Sequence, residues 1–197
     1  SSRRRHTRCA RWSRGLGDVY KRQRAFPHLN RLKQQVQATI NLGVLTGTDV
    51  VYLETFVPDS FVGLYMPPGT RMPSYSTALG KVLLANLPQY ELEALLPLLD
   101  MIPLTPHTIT SQTELRAQLT GIARSGYAVD DQEFALGVRC VSAPICDHRG
   151  MAVAGASMTV PAEQMPDEKT GEMATLLMQT CRAISVALGC LDGTVER

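Results

Sequence analysis

Between residues 126 and 145 the chain reads GYAVDDQEFALGVRCVSAPI, setting three acids, Asp130, Asp131 and Glu133, just ahead of an apolar run with one cysteine, Cys140. In an enzyme, Asp130 or Glu133 would serve as general base and Cys140 as nucleophile. A nucleophilic cysteine needs a neighbouring histidine and an electropositive setting to hold its thiolate. Here the local charge is negative, and the nearest histidine, His148, lies across a turn. On chemistry alone the acids read as a solvated loop and Cys140 as a small core hydrophobe. His6, His28, His107 and His148 are too scattered to pair as metal ligands, so neither metal nor cofactor is expected. Lys81 follows a glycine in ALGK, but the G-x-x-x-x-G-K-[ST] frame of a phosphate loop is absent, so it reads as a surface helix lysine. Arg71 and Arg139 are the remaining cations nearby; either could pair with Asp130, Asp131 or Glu133, or reach a ligand.

These side chains need elements to position them. Phe26, Leu29, Leu32 and Val36 step by three or four and predict a helix entering the domain. TINLGVLTGTDVVYLETFV reads as two strands around a Gly-Thr-Asp turn, and FVGLYM as a third short strand stopped by Pro67, Pro68 and Gly69. In SYSTALGKVLLANLP, Ser74, Ser76 or Thr77 can cap a helix whose apolar side is Leu79, Val82 and Leu83. Pro88 suits the first position of another helix, which shows Leu92, Leu95, Leu96 and Leu99 on one face. SQTE, at 111–114, is a capping box opening a helix with Leu115, Leu119 and Ile122 inward, ended by Gly126. VRCVSAPICD and MAVAGASMTV, separated by HRG, make a second hairpin. A last helix carries Met173, Leu176, Leu177, Ile184 and Leu188. Two antiparallel hairpins with helices before, between and after make an α+β domain, and an antiparallel sheet so flanked leaves one surface open for a ligand.

The 197 residues suffice for one domain. Their charge is uneven: residues 1–24 hold nine of the 20 Lys and Arg and a single acid, Asp18, whereas the body holds eleven basic and seventeen acidic residues. The head has no apolar periodicity, and RGLGDVYKRQ resembles the translated read-through of a sequencing adaptor, so 1–24 are expected to stand outside the fold. No apolar run approaches the ~18 residues of a membrane helix, and no membrane role is expected. Cys9, Cys140, Cys146, Cys181 and Cys190 show no C-x-x-C and read as reduced cytoplasmic thiols.

Three blocks, GTRMPSYSTALGKVLLANLP, GYAVDDQEFALGVRCVSAPICDHRG and VAGASMTVP, resemble in order and spacing the effector-binding domain of the IclR family of bacterial transcription regulators. The resemblance covers residues 25–190, leaving 191–197 as a tail. It implies a GAF-like fold, an antiparallel sheet flanked by helices. It also implies a homodimer or dimer of dimers, a small-molecule effector rather than a substrate, and operator DNA contacted only through an N-terminal winged helix-turn-helix, which residues 1–24 are too short to contain. The runner-up is a GAF-like metabolic sensor, or a small-molecule enzyme using Asp130 and Cys140.

Carried over residue by residue, the resemblance places an acid against the backbone amides of Ala78 and Leu79, where free N–H groups and a helix dipole attract an anion. Its polar wall falls on Asp130, Cys140, Ser157 and Thr159, the last two sharing a strand face. Its apolar wall falls on Phe61, Leu64, Met72 and Val138. Asp130 would repel a bare carboxylate unless it is protonated or bonded to a ligand hydroxyl, which favours hydroxy-acid or phenolic effectors.

Overall fold

The computed structural model describes residues 6–58 and 65–191, with side chains from residue 17 onward. Phe61, Leu64 and most of the expected FVGLYM strand lie outside the described residues. Helix α1 (His6–Gln35) leads into strands β1 (Thr39–Thr46) and β2 (Asp49–Phe56), a hairpin closed at Gly47 and Thr48. The short β3 (Arg71–Pro73) follows, then helices α2 (Ala78–Ala85), α3 (Gln89–Leu95) and α4 (Gln112–Ser125), strands β4 (Ala128–Asp131), β5 (Val138–Cys146) and β6 (Ala152–Pro161), and helix α5 (Asp167–Ala187). The strands form one six-stranded sheet, ordered β3-β2-β1-β6-β5-β4, with every neighbouring pair antiparallel. This is the α+β architecture the two hairpins imply, with β1 and β6 joining them side by side.

Helices cover both faces, so neither is left open. On one face α1 and α5 pack onto Ile40, Leu42, Val141, Ala143, Ala156 and Met158, all at most 1% exposed. The core partners on α5 include Leu177, Cys181 and Ile184. On the other face α2 and α4 bury Leu79, Val82, Leu84, Leu115 and Leu119. Ser111 caps α4 by accepting from the Glu114 amide at 3.4 Å, and Gly126 closes it in the left-handed conformation (φ 80°).

Helix α1 begins well ahead of Phe26. Residues 17–24 continue it as helix, and Arg22 bonds the Glu54 carboxylate on β2 at 2.6 Å. Arg and Lys are good helix formers, so this stretch needs no apolar stripe of its own to join an anchored helix. The buried positions are Ala25, Leu29 and Leu32; Phe26 turns outward, 47% exposed, against Phe56 with ring centroids 5.3 Å apart. Two further elements differ from the sequence reading. Pro88 stands one residue before the first turn of α3, and the acids at 130–131 are an edge strand rather than a loop.

Candidate functional site

Helix α2 is aimed by its cap and by the glycines beneath it. Thr77 Oγ1 accepts from the Gly80 amide at 3.1 Å, and the Lys81 amide makes the first helical bond, to the Thr77 carbonyl, at 2.9 Å. The amides of Ala78 and Leu79 therefore have no helical acceptor. A Cβ at Gly80 would stand 2.2 Å from the Ser74 carbonyl oxygen, so only glycine lets the incoming loop fold this tightly under the helix. Leu79 sits down on the sheet where β1 and β6 carry Gly43 and Gly155. Leu79 fills the space above Gly155, while Ala154 and Ala156 face the opposite core.

A cavity opens between this helix start and the sheet, with room of about 30 Å³ for the centres of water-sized molecules. Its floor crosses three strands. Cys140 pairs with Thr159, and Ser157 with both Ser142 and Asn41, so the polar side chains form rows at right angles to the strands. Asn41 lies 3.3 Å from Ser157 Oγ and 3.4 Å from Thr159 Oγ1, and Cys140 Sγ is 3.2 Å from Thr159 Oγ1. The walls include Ala78 and Leu79 on the helix, Met72 and Tyr52 toward β2, and Val138, Phe134 and Asp130 toward β5 and β4. Eight of the ten residues singled out from the sequence thus line one cavity; the other two, Phe61 and Leu64, fall outside the described residues.

Asp130 is 3% exposed. One of its oxygens, Oδ1, accepts from the Glu133 amide at 2.7 Å and the Phe134 amide at 3.4 Å, tying down the loop that supplies Phe134 and Ala135 to the cavity. Burial raises its pKa to about 7, outweighing the opposing effects of the Lys81 charge and the two amides. Glu133 is also buried, and its carboxyl is pushed up by desolvation even as Lys81 holds it down. Only Asp131, on the outward side of β4, is exposed as a solvated acid would be.

Lys81 is not a surface lysine. It is 0% exposed and forms a buried ion pair with Glu133, which locks α2 to the loop after β4. Burying the ammonium alone would be prohibitive, so the two residues stand or fall together. The arginines sort themselves plainly: Arg71 pairs with Asp49 at 2.9 Å, and Arg139 with Asp131 at 3.0 Å and Asp167 at 2.8 Å. Neither lines the cavity.

The sequence reading missed Asn41, Tyr52, Met66, Thr77, Phe134 and Ala135 from the lining. Tyr52 is hidden by a β-bulge: Leu42 faces Glu54 while Gly43 faces Tyr52, leaving Leu53 as an extra residue on β2. Tyr52 and Thr55 consequently share the cavity face although they are three apart, a spacing that strict alternation puts on opposite faces.

The setting of Cys140 disfavours its thiolate. Burial, then the nearby Asp130 charge, push the Cys140 thiol far above its ordinary range. His148 sits at the opposite end of β5, against Gly189. Cys140, Cys146, Cys181 and Cys190 are free thiols, and no cluster among the described residues could hold a metal ion. No helix among them is long and apolar enough to cross a membrane.

A sheet-backed cavity with a helix start at one side and buried polar groups on its floor has the form of a small-molecule-binding site. Residues 17–186 match the family model for the C-terminal domain of the bacterial transcriptional regulator IclR. The chain belongs to the IclR family. It is 33% identical over 175 residues to the HTH-type transcriptional regulator BhcR of Paracoccus denitrificans, covering 89% of this chain and 63% of that protein. The crystal structure of Thermotoga maritima IclR superposes with a TM-score of 0.82 at 34% identity, covering 86% of this chain and 68% of that one. An IclR homolog from Microbacterium hydrocarbonoxydans, complexed with 4-hydroxybenzoate, superposes at 0.78 with 26% identity, covering 87% and 69%.

Proposed function

We propose that this domain senses a small organic acid in the α2-side cavity and is not itself a catalyst. The observation that carries the reading is the pair of amides at Ala78 and Leu79, opening at the positive end of a capped helix onto a cavity whose floor is hydroxylic. An acid's carboxylate would accept from those two amides, with Ser157 and Thr159 beneath. The body of the acid would lie against Met72, Val138 and Phe134. A metabolic enzyme using Asp130 and Cys140 is disfavoured, because a thiol pushed so high supplies no nucleophile near neutral pH.

In the whole protein, we read this domain as working in a homodimer or dimer of dimers, with operator DNA gripped by a separate winged helix-turn-helix. The name of the Paracoccus relative, an HTH-type transcriptional regulator, supports the helix-turn-helix part of that reading.

Ala78→Pro tests the central contact. Position 78 is the first helical residue, where proline is tolerated, and Thr77 before it is already extended at φ −110°, ψ 142°. The variant deletes one amide donor. Calorimetric titration with short keto acids, hydroxy acids and benzoates should show at least one binder in the parent domain and about a tenfold or greater loss in the variant, the scale of one charge-assisted hydrogen bond. Unchanged affinity would remove the acid from the helix start.

A further inference from the structure

Two tyrosines on the α2 side of the sheet are buried, and they are treated differently. Tyr75 is 2% exposed and its hydroxyl donates to the Ile102 carbonyl at 2.9 Å. Tyr52 is 7% exposed and lines the cavity, yet its hydroxyl has no hydrogen-bond partner among the described residues. Its backbone is fully engaged: the amide donates to the Thr70 carbonyl at 3.0 Å and its carbonyl accepts from Gly69 at 2.7 Å. Its oxygen is not among the fully buried atoms that lack a partner, so the hydroxyl opens into the cavity with no protein group committed to it. Phenylalanine would give the same wall without a group that can bond a ligand.

Tyr52 lines the same small cavity as Asp130 and Cys140. Burial above all keeps the phenol protonated through the physiological range. It therefore keeps a proton to donate. Asp130, on the wall of the same cavity, is an acceptor, with Oδ1 already committed to two loop amides. A donor and an acceptor lining one small cavity match one ligand group above all: a hydroxyl, which accepts from the phenol and donates to the carboxylate.

We propose that Tyr52 and Asp130 together read a hydroxyl on the effector, and that Tyr52 is the residue by which this pocket distinguishes a hydroxy acid from the same acid lacking its hydroxyl. The proposal rests on the acid-sensing reading above. Discrimination of this kind is steep, because the analogue lacking the hydroxyl leaves two buried polar groups unpaired, whereas surplus bulk in an apolar pocket discriminates only weakly.

The test uses matched pairs, glycolate with acetate, lactate with propionate, and 3-hydroxybenzoate with benzoate, titrated calorimetrically into the chain and its Tyr52→Phe variant. The hydroxylated member of at least one pair should bind at least tenfold more tightly to the parent chain. Tyr52→Phe should abolish about tenfold of that preference by weakening the hydroxy acid alone, with affinity for the unhydroxylated partner unchanged within twofold. The melting temperature of the variant should not fall, since an unpaired hydroxyl is removed. A preference unaltered in the variant, or equal weakening of both members, overturns the role given to Tyr52 while leaving the acid site intact. If no acid binds the parent chain, the acid-sensing reading fails and carries this inference with it. Asp130→Asn provides the second arm: it keeps an acceptor, so it should retain most of the preference, and its total loss there would assign the discrimination to the carboxylate charge instead of to the hydroxyl pair.

Discussion

Toward α1 and α5 the central strands present Ile40, Leu42, Val141, Ala143, Ala156 and Met158; one residue further along, the same strands present Asn41, Ser142, Ser157 and Cys140 toward α2. The backbone pairing is common to both faces, so the difference lies wholly in the side chains. The first face is held by apolar burial, worth about 25 cal/mol per Å². The second buries a carboxylate that titrates near neutrality and an ion pair, each of which lowers the stability that apolar groups would give there. Both faces carry an apolar core, and the second also keeps a row of polar side chains under a cavity.

The largest effect should come from breaking the ion pair on the polar face. Lys81→Met leaves Glu133 buried without its cation and should cost about 3–5 kcal/mol in urea unfolding. Combining it with Glu133→Gln should restore much of that loss, because no uncompensated charge then remains buried. A single variant as stable as the parent would mean that the pair does not join α2 to the β4–β5 loop.

Next in size is the apolar face. Leu177→Ala, at a position 0% exposed, should cost about 3 kcal/mol through the cavity it leaves, yet acid affinity of the folded protein should not change. Lost affinity here would mean that the faces are coupled and would blunt the comparison.

The pH dependence is smaller and more particular. With a folded pKa of about 7, raised above the roughly 3.9 of an unfolded chain, Asp130 binds its proton more tightly in the native state. Its contribution is fully present below pH ~4 and is lost as pH climbs through 7, at no more than about 1.4 kcal/mol per pH unit. The stability of Asp130→Asn relative to the parent should therefore increase from pH 5 to pH 8, measured by urea unfolding. An anionic effector should likewise bind the parent more weakly at pH 8.5 than at pH 6, since the ionised carboxylate repels it. A relative stability flat with pH would place Asp130 in a wetter setting.

The smallest effect belongs to Cys140→Ser. The thiol is un-ionised and acts as wall, so effector affinity should stay within a few-fold, under about 1 kcal/mol. Loss of any turnover of a carboxylic acid in this variant would revive the enzyme reading.

Local signals read well from the residues alone. The Ser111 capping box, the Gly47–Thr48 hairpin and the helix start at Thr77 depend on neighbours within four residues, and all lie where those signals point. What could not be read depends on distant partners. Lys81 looks like a surface lysine because its carboxylate is 52 residues away, on the far side of a four-residue strand too short to show a period. Tyr52 looks like an ordinary strand residue because one extra residue in β2 resets the alternation after it. The polar rows of the cavity floor arise only when β1, β5 and β6 are brought side by side, and that order is a property of the crossover rather than of any segment.

The most direct test of the sensor account is an amide NMR titration of the domain with the tightest-binding acid from the matched panel. The largest shift changes should fall on the Ala78 and Leu79 amides, followed by Ser157, Thr159 and the Glu133 and Phe134 amides, with α5 unmoved. Changes concentrated on α1 and α5, with the start of α2 silent, would contradict it.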